Sequence, residues 1–359
     1  MKTEVVILNW NTRGYLARFI PPLKESLEGL DAEIAVADSA STDSSAELVQ
    51  ERFPDIRLIK LEQNFGFTGG YNRAFAELLS GSAQEKPQYL VLMNSDILVD
   101  KDWLRPLVEY MDSHPDCAVC GPALCALDCR DGDYFPSGRL EYAGAAGGLL
   151  DRYGFPFCRG RVLGRTDKFR PEMYPDRDVL WVSGACMMVR ASVWKKLGGL
   201  DDRFFAHMEE IDFCWRAWTE GFRVRALTSS RVYHIGGGTL PKTSPDKLRL
   251  NYRNGLLLLE NNLPYTLGAR KARRRIRTRA AIDCMAAVCY LLMGKVQNFK
   301  AVCRAHKEWR KLRLEPHPQV HPAEAAGRPA GFTDICIIPA AALKGKRIFA
   351  YISSYENRH

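Results

Sequence analysis

The stretch HMEEIDFCWR, residues 207–216, sets Glu209, Glu210 and Asp212 within four positions, beside His207 and just after Phe204 and Phe205. Its apolar spacing predicts an amphipathic helix. Like charges this close repel, so one of the carboxyls is expected to hold its proton unusually well. Such a group can take a proton from a hydroxyl while its neighbours hold something polar. The plainer alternative is a solvated acidic helix face. A second candidate is NSDIL, 94–98, directly after the apolar run YLVLM. Asp96 there offers the oxygen ligand that magnesium or manganese favours when bridging phosphates. A helix N-cap is the rival role, but Asp100 is better placed for it. His234, in VYHIGGG, follows a late strand. It is a candidate metal ligand near the same rim, or an ordinary hydrogen-bonded surface histidine.

The elements that must position these residues alternate. TEVVILN, AEIAVAD, IRLIKLE and YLVLMN read as strands buried on both faces, separated by helical stretches near 13–28, 43–52, 69–80 and 101–113. This predicts an α/β fold, a mostly parallel sheet with helices on both faces. Ligands in such sheets bind outside the carboxyl ends of the strands. Asn9 to Asn11, Asp38, Asn64 and Asn94 to Asp96 all fall there. Asp38, in DSASTDSS, can accept hydrogen bonds from a base or ribose, whereas Asp43 suits the first turn of a helix. NFGFTGGYN, 64–72, brings glycines and a helix start, which permit close backbone approach and offer N–H groups to a phosphate. It is not the dinucleotide fingerprint, which belongs after the first strand. Residues 130–175 predict a long loop over the rim with short strands. VLWVSGACMMVR, 179–190, reads as a strand, followed by a short helix ending at Gly198 and Gly199 and a mobile loop. FRVRALTSSRVYHIGGG reads as a pair of short strands.

A chain of 359 residues has room for one large domain and an appendage. The eleven cysteines are scattered and odd in number, and MKTEVVILNW runs straight into a strand pattern without a signal segment, so a reducing cytoplasm is expected. Cys117, Cys120, Cys125 and Cys129 match no standard zinc spacing, and CAVCGPALCAL reads better as a buried strand. The net charge of +9 is uneven: residues 242–313 carry +14 and the remainder −5. Such asymmetry points to nucleic acid or an anionic membrane. The aromatics are not interleaved as stacking platforms, so nucleic acid is not expected. In 269–313, Arg270, Arg273, Arg274 and Arg277 share one helical face, and the apolar run AAIDCMAAVCYLLM is too short and polar to span a bilayer. A helix lying in the headgroup region is the expectation, with a helical pair packed on the main domain as the alternative. The last forty residues read as a linker and a short apolar tail.

In their order along the chain, VVILNWN, DSASTDSS, NFGFTGGYN, NSDILVD, WVSGACMMVRASVW, GGLDDRFFAHMEEIDFCWRAWTEGFRV and VYHIGGGT resemble the motifs of glycosyltransferase family 2. The likeness is above all to the bacterial rhamnosyltransferase and galactofuranosyltransferase-like branch, and it spans roughly residues 3–265. It implies a GT-A fold with domains at 1–265 (catalytic), 266–315 (basic, membrane-associating) and 316–359 (linker and tail). By this resemblance Leu8, Asn9, Trp10 and Asp38 would border the nucleobase, and Asn64 and Gly66 the nucleoside and diphosphate. Ser95 and Asp96 would stand in the D-x-D element, with Asp96 and His234 holding Mn2+ or Mg2+. Glu210 would be the base of an inverting transfer, one methylene longer than the usual Asp. Trp181, Glu209 and Asp212 would hold the acceptor. The implied reaction moves a sugar from dTDP-rhamnose or a UDP-sugar to a glycan acceptor, polyprenyl-diphosphate-linked, on the inner face of the cytoplasmic membrane. Two alternatives stay open: a nucleotide-sugar binder without turnover, and an enzyme of the same fold that makes nucleotide sugars.

Overall fold

A computed structural model describes residues 2–82, 86–236, 244–323 and 328–357. Gly237, Gly238 and Thr239, at the end of the motif after His234, and residues 324–327 of the expected linker lie outside the described residues. In chain order the first strands are β1 (Thr3–Asn9), β2 (Ala32–Asp38), β3 (Arg57–Lys60), β4 (Tyr89–Asn94), β5 (Ile97–Val99), β6 (Cys117–Arg130) and β7 (Asp133–Leu140). Four short ones follow, β8 (Gly148–Leu150), β9 (Pro156–Cys158), β10 (Arg161–Val162) and β11 (Arg165–Thr166), then β12 (Arg177–Asp178), β13 (Cys186–Arg190) and β14 (Arg223–His234). The main sheet runs β12-β14-β6-β13-β4-β1-β2-β3, while β8 to β11 form a separate antiparallel sheet.

The four apolar runs are β1 to β4, all parallel, with α1 (Arg13–Ser26), α2 (Ser45–Arg52) and α3 (Gly66–Leu78) between them. Successive side chains of a strand face opposite sides. Val5 and Ile7 accordingly pack into one core with Leu16, Ile20 and Leu23 of α1, and Val6 into the other with Tyr71 and Phe75 of α3. β13 is antiparallel to both β4 and β6, and β14 is parallel to β6, so the sheet is mixed. The CAVCGPALCAL segment is the strand β6, its Cys117, Cys120 and Cys125 buried.

Four expectations need correction. Helix α4 (Arg105–Ser113) starts late, and Asp100 caps nothing there: it pairs with Arg231 at 3.1 Å. Of 179–190 only β13 is a strand, and the short helix α5 (Ala191–Lys196) follows it. Residues 223–234 make one strand with a bulge, where Leu227 pairs with Pro122 and Arg231 with Ala123; Pro122 has no N–H for the ladder. The tail is docked: α10 (Ile337–Lys344) and α11 (Ile348–Glu356) pack on Leu149, Phe157 and Val162 of the small sheet, and Glu356 pairs with buried Arg159 at 3.1 Å.

The basic segment forms α8 (Ala269–Leu292) and α9 (Val296–Leu312), which pack against each other and against α7 (Pro245–Leu267). The helical-pair alternative therefore describes how it folds. Arg279 on α8 pairs with Asp283 at 2.9 Å and donates to the Gly154 carbonyl at 2.8 Å, which ties the hairpin to the small sheet.

Candidate active site

The register of the sheet builds the rim. Asn9 lies level with Asp38, and Leu8 with Asn94, so three strand ends finish together. They open into a cleft of about 990 Å³ lined by Leu8, Asn9, Trp10, Asn64, Gly66, Ser95, Asp96, Trp181, Glu209, Glu210 and His234 among others. Asn9 is buried and donates to Asp38 Oδ1 at 2.6 Å, while its amide oxygen accepts from Thr12. The Thr12 hydroxyl in turn reaches Ser95 Oγ at 2.8 Å. Asp38 also accepts from the Ser41 amide at 3.0 Å. It stands behind the wall, outside the cleft lining, and fixes Asn9. Asn64 accepts from the Gly66 amide at 2.8 Å and so starts α3 (Gly66–Leu78). Gly66 has φ +72°, and a Cβ there would sit 2.5 Å from the Phe205 ring. Its first requirement is the close approach of Phe205.

Asp96 and His234 meet because β14 pairs with β5, placing His234 level with Ile97. Asp96 Oδ1 lies 3.1 Å from His234 Nε2, and Glu141 Oε2 lies 3.4 Å from Nδ1. Glu141 is itself held by the Ala143 amide. Burial opposes a charge on His234, but Asp96 and Glu141 outweigh it and push its pKa up to about 10. Burial likewise opposes the charge on Asp96, and His234 still holds that carboxyl below its ordinary value. An imidazole nitrogen faces the Asp96 carboxylate while the second ring nitrogen lies near the Glu141 carboxylate, a donor pair that could hold a divalent ion in place of the imidazolium proton. Among the described residues no three His, Cys, Asp or Glu side chains gather as a metal site. Two protein donors suit a magnesium- or manganese-like ion whose other positions go to phosphate and water.

The acidic helix α6 (Glu209–Thr219) follows a strained approach. Phe205, His207 and Met208 all have positive φ, at 63°, 72° and 72°. Each such residue is unfavourable unless the surroundings hold it. Here they do. Asn254 of α7 (Pro245–Leu267) donates to the carbonyls of Phe204, Ala206 and His207 at 3.0, 2.8 and 2.7 Å. Arg253 donates to Phe204 O at 2.7 Å, and the Phe67 amide donates to Phe205 O at 2.8 Å. The expected mobile loop is thus clamped from two helices.

Glu209 and Glu210 both enter the cleft, and each has a buried carboxyl oxygen without a hydrogen-bond partner. Burial pushes Glu210 up to about 7, against the pull of the amides at the start of α6 and of Arg161. Burial and then the Glu210 charge push Glu209 well above the carboxylate range. Burial, with Lys247, lowers His207 to about 4. Asp212 corrects the expectation. It is 0 % exposed and points away from the cleft into a network with Arg216 Nε at 2.7 Å, Asn261 at 2.9 Å and Asn262 at 2.8 Å. Acceptor binding is therefore not its role; it locks α6 to α7. Trp181 lines the cleft with its ring laid on Gly148 and its indole N–H bonded to Leu149 O at 3.2 Å.

Thr12, Glu141, Arg161 and Asn254 are the site residues that sequence reasoning passed over. Asn254 carried a signal, since it is a polar residue beside the run GLLLL of a helix. Glu141 and Arg161 carried none.

A cleft at the carboxyl ends of parallel strands, lined by a carboxylate–imidazole pair and two buried carboxyls, is where α/β sheets of this kind bind ligands. The comparisons name the family. The family model "Glycosyl transferase family 2" matches residues 4–198, and "Glycosyl transferase family group 2" matches 168–297. The chain belongs to glycosyl transferase family 2. It is 27% identical over 261 residues to the N-acetylglucosaminyl-diphospho-decaprenol L-rhamnosyltransferase of Mycobacterium tuberculosis, covering 71% of this chain and 83% of that one. It is 25% identical over 170 residues to rhamnosyltransferase WbbL of Escherichia coli, covering 47% and 61%. Among solved structures, GalNAc-T7 with UDP, GalNAc and Mn2+ superposes with a TM-score of 0.55 at 16% identity, over 73% of this chain and 48% of that one. The fold is accordingly GT-A, as the motifs implied.

Proposed function

We propose that this glycosyltransferase is inverting and moves a sugar from a dTDP- or UDP-sugar to a hydroxyl of a polyprenyl-diphosphate-linked glycan. The observation that carries the reading is that Glu210 and the Asp96–His234 pair line one cleft. Leu8, Asn9 and Trp10 border the base, and Asn64 and Gly66 line the nucleoside and diphosphate. Asp96 and His234 would hold Mn2+ or Mg2+, which when bound supplies positive charge to the departing diphosphate. Glu210 accepts the proton of the attacking acceptor hydroxyl, a role its pKa near 7 suits. Glu209, neutral, donates to an acceptor oxygen, and Trp181 offers an apolar face to a sugar. The M. tuberculosis relative, whose name specifies a diphospho-decaprenol acceptor, supports the acceptor class.

The place of action is the anionic inner membrane surface. Arg270, Arg274 and Arg277 lie exposed along α8, and Met285, Val288 and Leu292 continue the same stripe, Leu292 being 82 % exposed. The stripe is basic first and apolar at the hairpin tip, the order that suits headgroups and then acyl chains. No helix among the described residues is long and apolar enough to cross a membrane. The test is a panel of nucleotide sugars screened by thermal shift with and without manganese, then a transfer assay with the stabilising donor. A donor that binds but is neither hydrolysed nor transferred makes the protein a binder.

A further inference from the structure

Six arginines are buried among the described residues. Five have a carboxylate: Arg159 has Glu356 at 3.1 Å, Arg203 has Asp201 at 2.6 Å, Arg216 has Asp212 at 2.7 Å, Arg253 has Glu308 at 3.5 Å and Arg279 has Asp283 at 2.9 Å. Arg161 is the sixth. It stands on β10 in the cleft wall and is 8 % exposed. Among the described residues it makes no ion pair. Its guanidinium has the Pro156 carbonyl at 3.4 Å and the Tyr142 ring at 4.7 Å, and its buried Nε has no hydrogen-bond partner. A buried guanidinium with no carboxylate at ion-pair distance, and only the Glu210 charge acting on it from further off, is left short of an anion, and its planar fork fits phosphate oxygens.

The surroundings say which anion. Lys247 and Tyr252 of α7 line the same cleft, as do Phe155 and Pro156 of the small sheet. None of these comes from the strand ends that hold Asn9, Asn64 and Asp96. A second phosphate-binding place, set among aromatic and apolar side chains, suits a phosphate attached to a hydrocarbon. Glu210 lines the same cleft, and Arg161 acts electrostatically on its carboxyl.

We propose that Arg161, with Lys247, is the subsite for the diphosphate of a prenyl-diphosphate acceptor, separate from the donor's diphosphate subsite. This rests on the transferase reading above. The distance between charged head and reacting sugar would then select lipid-diphosphate acceptors over neutral glycosides.

The test is calorimetric titration of the full chain with farnesyl diphosphate, with farnesol as the neutral control. It is run with saturating UDP or dTDP and manganese, so that the donor subsite is already filled. Wild type is expected to bind farnesyl diphosphate and not farnesol. Arg161→Gln is expected to lose about tenfold or more in affinity, Lys247→Gln less, and Arg161→Lys to recover part of it. Nucleotide binding should be the same in all of them. Equal farnesyl diphosphate affinity in wild type and Arg161→Gln overturns the proposal. So does a loss of nucleotide affinity in place of lipid affinity, which would put Arg161 on the donor. If Arg161→Gln does not fold, the proposal stands or falls on Lys247→Gln and Arg161→Lys. Failure of UDP and dTDP alike to bind counts against the transferase reading; the farnesyl diphosphate titration without nucleotide then still decides on Arg161.

Discussion

Glu210 titrates near pH 7 because it is buried beside Glu209, with only Arg161 and the first amides of α6 favouring its charge. The thiols of Cys158 and Cys214 also face it, and burial raises both, to about 11 for Cys158, so they stay neutral below that. In the proton-accepting role proposed for it, Glu210 must be unprotonated, so kcat should rise as pH passes from 6 to 8 and level off above. Glu210→Gln should remove that limb and lower kcat by about 10²–10⁴-fold, with donor affinity kept. Glu209 gives a stability prediction. Its folded-state pKa is raised above the ordinary 4.5, so the folded state binds the extra proton and loses stability as pH climbs above that value. Glu209→Gln copies the protonated form without the loss. Thermal melts should show the variant about 2–4 °C above wild type at pH 8 and level with it near pH 4. An equal gain at both values would mean another cause. Glu209 and Glu210 were legible in the sequence because they are contiguous and open a clear helix. Glu141 and Arg161 were not, because they sit in Gly- and Pro-rich chain whose partners come from β14 and α6, far along the sequence.

The clamp on 204–208 is the property of elements. Three positive-φ residues are held chiefly by Asn254 and by the start of α3. Asn254→Ala leaves the Ala206 and His207 carbonyls short of a donor, while Phe204 O keeps Arg253, at a cost of about 1–3 kcal/mol. Denaturant melts should show that loss, and kcat should fall more than donor affinity, since the freed segment carries Glu209 and Glu210. Gly66→Ala should be worse for folding, because φ +72° and the Phe205 ring both exclude a side chain. The parallel strands β1 to β4 were readable from continuous apolar runs and the turns between them. β14 was misread as two strands because TSS at its centre looks like a turn, whereas it is a bulge against Pro122. Asp212 was misread for a related reason. Its spacing from Glu209 places it near the same face of α6, but Arg216, Asn261 and Asn262 take it inward.

At the scale of the whole molecule, the charge split and the docked tail set the arrangement. The sequence showed the +14 of residues 242–313 but not that α8 and α9 would fold back on α7, nor that α10 and α11 would seal the small sheet. Those contacts join segments far apart in the chain and leave no local pattern. The exposed stripe of α8 predicts cosedimentation with anionic vesicles that weakens with salt. Replacing Arg270, Arg274 and Arg277 with Gln should cost about 1 kcal/mol each in vesicle affinity, and Leu292→Asp should weaken it further without changing the melt. Binding that is indifferent to all four changes would remove this face from the account. The most direct test of the central claim is single-turnover transfer of sugar to a prenyl-diphosphate-linked N-acetylglucosamine, with manganese and the donor selected by thermal shift, by wild type and Glu210→Gln. The account predicts product from wild type and a transfer rate at least about 100-fold lower in the variant at matched donor occupancy. Equal rates would contradict it.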